Sequence, residues 1–587
     1  VKVVWWLTGA TFLLYLLTLT PGLPPIDVGE FVGCAITYGI PHPTGYPIYI
    51  TIARLFAMLP ISTVTALSLL SALSATFALF FLAKSAMEES TGDWGWLIIL
   101  LFPVSTIVWD VAIRPEVYAF NSFLLAGAFW AAQGVWRGEK RAVIFLGLFS
   151  GFATVTHLSS GYFLLPLWLG LLMKPESRKL ILHPLPWLVG AIPLTAHLIL
   201  PIRSAFGLPP YTWGDMHTFD GWWRHVSGWQ YRVWLFQSSD DWAKNIGDFF
   251  HDWLPRMAIF AAAGLFFLLK YDWKRAIWIF AILAFPVVMV SGYRIADLDT
   301  YYLPAYLISA WLGAYAVSSL PLHRIKSKWI IPTAIGVVVI LFGVWQYPRD
   351  SRIEDKHQMV YTRALLATLP SPAVLFSADW EIVVGPMQAY LAQGERPDLS
   401  VVDLELMRRS WYIELLLRKY PYVCAGCENE LNELIPALRK FERNEDIAPE
   451  TLETLYRRAI YVLMLKNSQR AAVCITFDVE IPKKIPLYPV ALPLFTRLQS
   501  EDVNYIADPN GLQIDPLYEN PVDTRIDNRI REKVAESLLE RANYLFHHNY
   551  REEAFTFVKL ARNAKPNDDS PFWKMLMLLE QEEGKLN

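Results

Sequence analysis

Charge is what this sequence has least of. Asp, Glu, Lys and Arg make up 18% of its 587 residues, against 54% that are hydrophobic. A chain so apolar is excluded as an ordinary soluble multidomain protein and is expected to be a polytopic membrane protein. The net charge of −3 excludes a chain that seeks polyanions, so nucleic acid is not an expected partner. Cysteine is scarce too. Cys424-Ala-Gly-Cys427 has neither a second CxxC nor an HxxxH to complete a zinc site, and a local disulfide is the expectation. No phosphate-cradling Gly-rich loop, HExxH zinc-protease motif or GxSxG elbow is present.

What is present is unevenly spread. Apolar runs near spanning length, about 20 residues for a bilayer core, crowd into residues 1–346. The runs at 3–20, 63–83, 97–112, 117–135, 142–157, 159–173, 184–202, 256–270, 275–293, 302–320 and 329–346 predict about eleven transmembrane helices. The first reads as a retained helix, because no small-residue cleavage site follows it. The connections Arg137–Arg141, Lys174–Lys179, Lys270–Arg275 and Arg324–Lys328 are basic and fall on one side if the spans alternate. That side is expected to be the cytoplasm, which places the N-terminus inside. The loops 21–62, 203–255 and 294–301 then face outward, as does everything after residue 346.

From 347 onward the pattern changes. Ala373–Phe376, Leu399–Val402, Ala459–Leu465 and Ala472–Phe477 read as buried strands. Helical patterns at Glu381–Leu391, Trp411–Tyr420 and Glu428–Phe441 lie between them, so residues 347–526 are expected to form an extracytoplasmic α/β domain. Residues 527–587 read as helices only, at Glu532–His547, Arg551–Asn563 and Pro571–Glu583. This is TPR-like, and one such unit must dock on a neighbour to bury its face.

The outer loop 21–62 holds the most costly residues. Asp27-Val-Gly-Glu30 puts two carboxylates on one helical face beside the bilayer, where ionisable groups need a job or a partner. They are either a general base with its helper or a capping box at a helix start. Short amphipathic helices are expected at Glu30–Tyr38 and Tyr49–Met58, around the turn Gly39–Pro47. Loop 203–255 carries Trp213, Trp222, Trp223, Trp229 and Trp234, which suit an interfacial belt or sugar stacking.

Asp27-x-Gly-Glu30-Phe31, followed by Gly39-Ile40-x-His42-Pro43-x-Gly45-Tyr46-Pro47-x-Tyr49, resembles the signature of a family of bacterial and animal transmembrane proteins. That family lies within the GT-C glycosyltransferases and includes protein O-mannosyltransferases. Glu116-Val-Tyr118-Ala-x-Asn121, His157, Pro201-x-Arg203-Ser, Trp213-Gly-Asp215, His225-Val and Asp297-x-Asp299-x-Tyr301-Tyr302-Leu-Pro304 continue the resemblance in order. In the later part Asp379, Gly394-x-Arg396-Pro-Asp398, Val401-Val-Asp403 and Trp411-Tyr412 also fit. Val28 stands where a small residue is usual and Thr44 where a second proline is common. Neither departure removes a chemical group.

The resemblance implies an inverting glycosyltransferase with a polyprenyl-phosphate sugar donor, mannose by the family's habit, and Ser or Thr of exported proteins as acceptor. Transfer to a lipid or glycan, or a non-catalytic transporter or assembly scaffold, stays open as an alternative. Asp27 is implied as the base, with Glu30 positioning it or the sugar hydroxyls; the two can exchange these roles. His42, Tyr46, Glu116, His157, Arg203, Asp215, Arg294 and Asp297 are implied in binding substrate or donor. His157, Arg203 and Arg294 are the candidates to meet the leaving phosphate. Glu116 can instead pair with Arg114, His42 can simply fix its turn, and Tyr301 and Tyr302 suit a membrane belt. No cofactor is required, and the acidic pair can hold a divalent cation or none.

Overall fold

The computed structural model describes residues 2–24, 26–90, 94–207, 211–295, 297–320, 329–350, 356–501, 514 and 525–564. The chain forms two compact units, 1–20 with 34–353, and 21–33 with 354–587.

The first unit is helical. Among the described residues, five helices are long and apolar enough to cross a membrane: Thr63–Glu89, Pro184–Ala205, Ser239–Tyr271, Trp273–Ser291 and Ile330–Tyr347. A bent pair, Trp94–Leu101 with Thr106–Ile113, makes a sixth if it is one span. Shorter apolar helices occur at Lys2–Leu17, Ala142–Thr156 and Ser160–Met173. The protein is thus a helical integral membrane protein. At 27 residues, Thr63–Glu89 exceeds the ~30 Å bilayer core at ~1.5 Å per residue. Its apolar stretch is largely buried, whereas those of Pro184–Ala205 and Ile330–Tyr347 are 17% and 11% buried. The latter two therefore present Trp187, Leu188, Ile192, Val337 and Ile340 to a medium that must itself be apolar. Ala142–Thr156 packs tightly on Pro184–Leu194 because it has no side chain at two crossing points. A Cβ on Gly147 or Gly151 would lie 2.2 Å from the carbonyl oxygen of Pro186 or Gly190.

Basic connections meet at one end of this unit. Arg137 pairs with Glu88 and Glu89 at 2.7 and 2.9 Å, Arg275 reaches Glu89 at 2.7 Å, and Lys174 donates to the Trp136 carbonyl. Arg324–Lys328 lies outside the described residues. The two loop helices lie at Val28–Thr37 and Pro47–Phe56, within a few residues of expectation.

The second unit carries a five-stranded sheet. β1 (Ala373–Ser377), β2 (Leu399–Asp403), β3 (Ala472–Ile475), β4 (Tyr488–Ala491) and β5 (Thr496–Gln499) lie in the order β2-β1-β3-β5-β4. β2, β1 and β3 are parallel, and β5 and β4 add an antiparallel edge. β1 and β2 are buried throughout, which is why they read as unbroken apolar runs. The fourth expected strand, Ala459–Leu465, is instead part of the helix Pro449–Asn467. Tyr456, Ala459, Ile460, Leu463 and Met464 recur at helical spacing and face the core.

The expected local disulfide is likewise corrected. None of the four cysteines forms a disulfide, and all four are buried. Cys424 and Cys427 pack into the apolar core under the sheet, where burial pushes their thiols up to about 12 and about 11. Helices Arg525–His547 and Arg551–Asn563 pack on each other, and buried Arg541 ties the first to the Ala491 carbonyl of β4. The expected third helix, Pro571–Glu583, lies outside the described residues.

Candidate active site

In the second unit, Ile26 takes a left-handed backbone (φ 69°) and donates its N–H to the Glu381 carbonyl at 3.0 Å. The chain turns there into the helix Val28–Thr37, begun by the Phe31 N–H donating to the Asp27 carbonyl at 2.9 Å. Glu30 sits in the first turn and is fully buried. Asp27 Oδ1 accepts the indole N–H of Trp380 at 3.3 Å. Nothing in the sequence pattern singled out Trp380; the contact spans 353 positions.

In the first unit, motifs from distant parts of the chain form one cage. Tyr46 and His42 share a hydrogen bond of 2.7 Å between hydroxyl and Nε2, closing the turn over its own residues. The Tyr46 ring stacks on His157 at 5.8 Å, and His157 also meets Tyr118 and Tyr301. The Tyr118 hydroxyl donates to Asp297 Oδ2 at 2.9 Å. His42 further meets Trp213 and Tyr231 edge-on. Tyr301, assigned above to a membrane belt, is therefore a wall of the cage. Burial, with Asp297 nearby, pushes its hydroxyl well above the ordinary range. His225 lies behind the turn. Burial holds it down at about 3, with His42 and His197 adding to the effect.

Other expected residues have local partners. Glu116 is buried and pairs with Arg114 at 2.7 Å, and Arg114 also holds Asp110 at 2.9 Å. Arg203 donates to the Tyr38 carbonyl at 3.0 Å and lies 4.4 Å over the Tyr38 ring, where it caps the C-terminus of the loop helix. Asp215 closes its own turn by accepting from the His217 N–H and the Thr218 hydroxyl. Arg294 has a side chain 71% exposed, 4.0 Å from Asp241. Tyr231 was missed by sequence reasoning because it stands alone, outside any motif.

A cage of rings, imidazoles and a carboxylate is suited to a polyhydroxylated ligand, whose apolar faces stack while its hydroxyls are bonded. Residues 27–91 match the family model "Protein O-mannosyl-transferase TMEM260 N-terminal domain". Over most of its length the chain is also similar to proteins that bear the same family name. It is 24% identical over 454 residues to the protein O-mannosyl-transferase TMEM260 of Mus musculus, covering 70% of this chain. It is 20% identical over 474 residues to the tmem260 protein of Dictyostelium discoideum, covering 68% of this chain. The aligned part spans 63% and 57% of those relatives' own lengths. The apo crystal structure of ArnT from Cupriavidus metallidurans superposes with a TM-score of 0.50 at 10% identity. It covers 85% of this chain and 97% of that one, a likeness of fold.

Proposed function

We propose that this protein is a membrane glycosyltransferase that moves mannose from a polyprenyl-phosphate donor to Ser or Thr of exported proteins. The observation that carries the reading is the cage. His42, Tyr46, Tyr118, His157, Asp297 and Tyr301 come from four separate stretches of sequence, and all lie within motifs that resemble those of the family.

Asp27 takes the proton of the acceptor hydroxyl, and that oxygen bonds to the anomeric carbon from the face opposite the phosphate. The bond from that carbon to the phosphate oxygen breaks, configuration inverts, and the lipid phosphate leaves with the electron pair. Glu30 orients the base, and the cage binds the donor sugar. His157 is the one of the three candidates that lies inside the cage, so its buried imidazole is assigned as a hydrogen-bond donor to the charge developing on the phosphate. Arg203 is assigned to holding the loop helix and Arg294 to the outer surface.

In this reading the shorter apolar helices complete about eleven spans, with the N-terminus in the cytoplasm and the sheet-bearing domain outside. The helices after Arg525 form a TPR-like platform for the acceptor protein. The test offers the purified protein a panel of polyprenyl-phosphate sugars and Ser/Thr peptides from exported proteins, read by mass spectrometry. Wild-type protein should transfer mannose, and a folded Asp27→Asn variant should not. Transfer at the wild-type rate by Asp27→Asn rejects the base; no transfer from any donor by folded wild type favours a scaffold.

A further inference from the structure

The segment Trp380–Gln388 of the sheet-bearing unit lies directly on the loop that holds the acidic pair. Beyond the Trp380–Asp27 and Ile26–Glu381 hydrogen bonds, the backbones themselves touch. A Cβ on Gly29 would lie 2.1 Å from the Gly385 carbonyl oxygen and 2.7 Å from Pro386 Cα. One turn on, a Cβ on Gly33 would lie 3.3 Å from the Gln388 carbonyl oxygen.

The segment is braced from its other side. Asp379 caps its first turn by accepting the Ile382 N–H at 2.9 Å. Lys533, itself largely buried, ties Asp379 to Asp478 at 2.6 and 3.0 Å, and Arg529 pairs with Glu381. Asp379 and Asp478 follow β1 and β3, so the brace stands at the carboxyl ends of the parallel strands, where open α/β sheets present their functional groups.

We propose that Trp380 is a positioning residue for Asp27, and that the sheet-bearing domain supplies part of the machinery that orients the catalytic carboxylate. This rests on the reading of Asp27 as the base. A carboxylate on a loop rotates about two side-chain bonds, and a base must be held to within roughly 0.5 Å and 10–20° of its productive geometry. The indole N–H fixes one oxygen, while the close approach of Gly29 to Gly385 fixes how far the indole stands from the loop. A carboxylate released from that hold loses rate and not affinity, because the donor and acceptor are bound by other groups.

The test uses full-length protein in nanodiscs with polyprenyl-phosphate mannose and a Ser/Thr peptide. Two replacements are made at Trp380: phenylalanine, and 3-benzothienylalanine, which keeps the indole shape but puts sulfur where the N–H was. Both should lower kcat about ten-fold or more, with each KM within about two-fold of wild type. In thermal unfolding, Trp380→Phe and Asp27→Ala should be non-additive, because each removes the same hydrogen bond. Wild-type kcat in the benzothienyl variant, or a raised KM with kcat unchanged, overturns the proposal, while an inactive Asp27→Asn still upholds the base. If Asp27→Asn remains active, the base reading falls and the unfolding cycle alone decides. Non-additivity then supports the hold of Trp380 on Asp27, and additivity overturns it.

Discussion

Tyr118 does two jobs in the cage. Its ring fills the space against His157 and Tyr301, and its hydroxyl donates to Asp297. Tyr118→Phe keeps the first and removes the second. A hydrogen bond to a charged partner is worth about 1.5–3 kcal/mol, or roughly ten-fold and upward in binding. Transfer at limiting donor should therefore fall at least ten-fold in Tyr118→Phe while the protein still folds; an unchanged rate removes Asp297 from the donor site. His225 gives a second prediction, read in stability. Its folded value is about 3 against an ordinary 6.5, so the unfolded chain takes up a proton that the folded chain refuses. Its contribution is complete above pH 6.5 and is lost as pH falls toward 3. His225→Gln should flatten the acid side of a melting-temperature profile recorded in detergent. A profile as steep as that of wild type would place the acid sensitivity elsewhere. The cage was legible in sequence because most of its members stand in short strings such as His42-x-x-x-Tyr46 and Glu116-x-Tyr118. Trp380 and Tyr231 were not. Each is one aromatic among 24 tryptophans or 27 tyrosines, and only the fold distinguishes it.

At the scale of elements, apolar runs were easier to find than to type. Ala373–Phe376 and Ala459–Leu465 look alike as strings, yet one is a strand and the other helical. The difference lies in their flanks, since Leu452, Leu455 and Tyr456 extend the second run at helical spacing. β4 and β5 were missed because each is four residues long and partly exposed, with too little alternation to read. Gly29 allows a sharper test of what an element is for. It lies inside the helix Val28–Thr37, where alanine would ordinarily stabilise by about 1 kcal/mol. Its missing Cβ, however, is what admits the Gly385 carbonyl. Gly29→Ala should therefore destabilise, by about 1–3 kcal/mol for an overpacked contact, and raise hydrogen exchange across residues 26–33. Gly33→Ala, with its looser 3.3 Å approach, should stay near wild type. A more stable Gly29→Ala would show that the helix keeps its glycine for some other reason.

For the molecule as a whole, the open variable is sidedness, and the pairing of charges bears on it. Three basic connections far apart in sequence meet the Glu88–Glu89 helix end or one another, as expected if they share one face of the bilayer. Sequence gave access to this through Lys and Arg counts alone; it could not count spans as well, because several helices are shorter than the bilayer is thick. The cysteines make the matter directly measurable. All four are buried, so the unmodified chain has a low background toward a membrane-impermeant maleimide. Single cysteines at exposed Lys140, Asp220 and Glu395 then report on three sites. In intact cells Asp220→Cys and Glu395→Cys should label at once, and Lys140→Cys only after permeabilisation. Labelling of Lys140→Cys in intact cells would invert the topology. Protection of Glu395→Cys alongside labelled Asp220→Cys would require an even number of spans before the sheet-bearing domain, and would put Trp380 on the wrong side of the membrane for its proposed task.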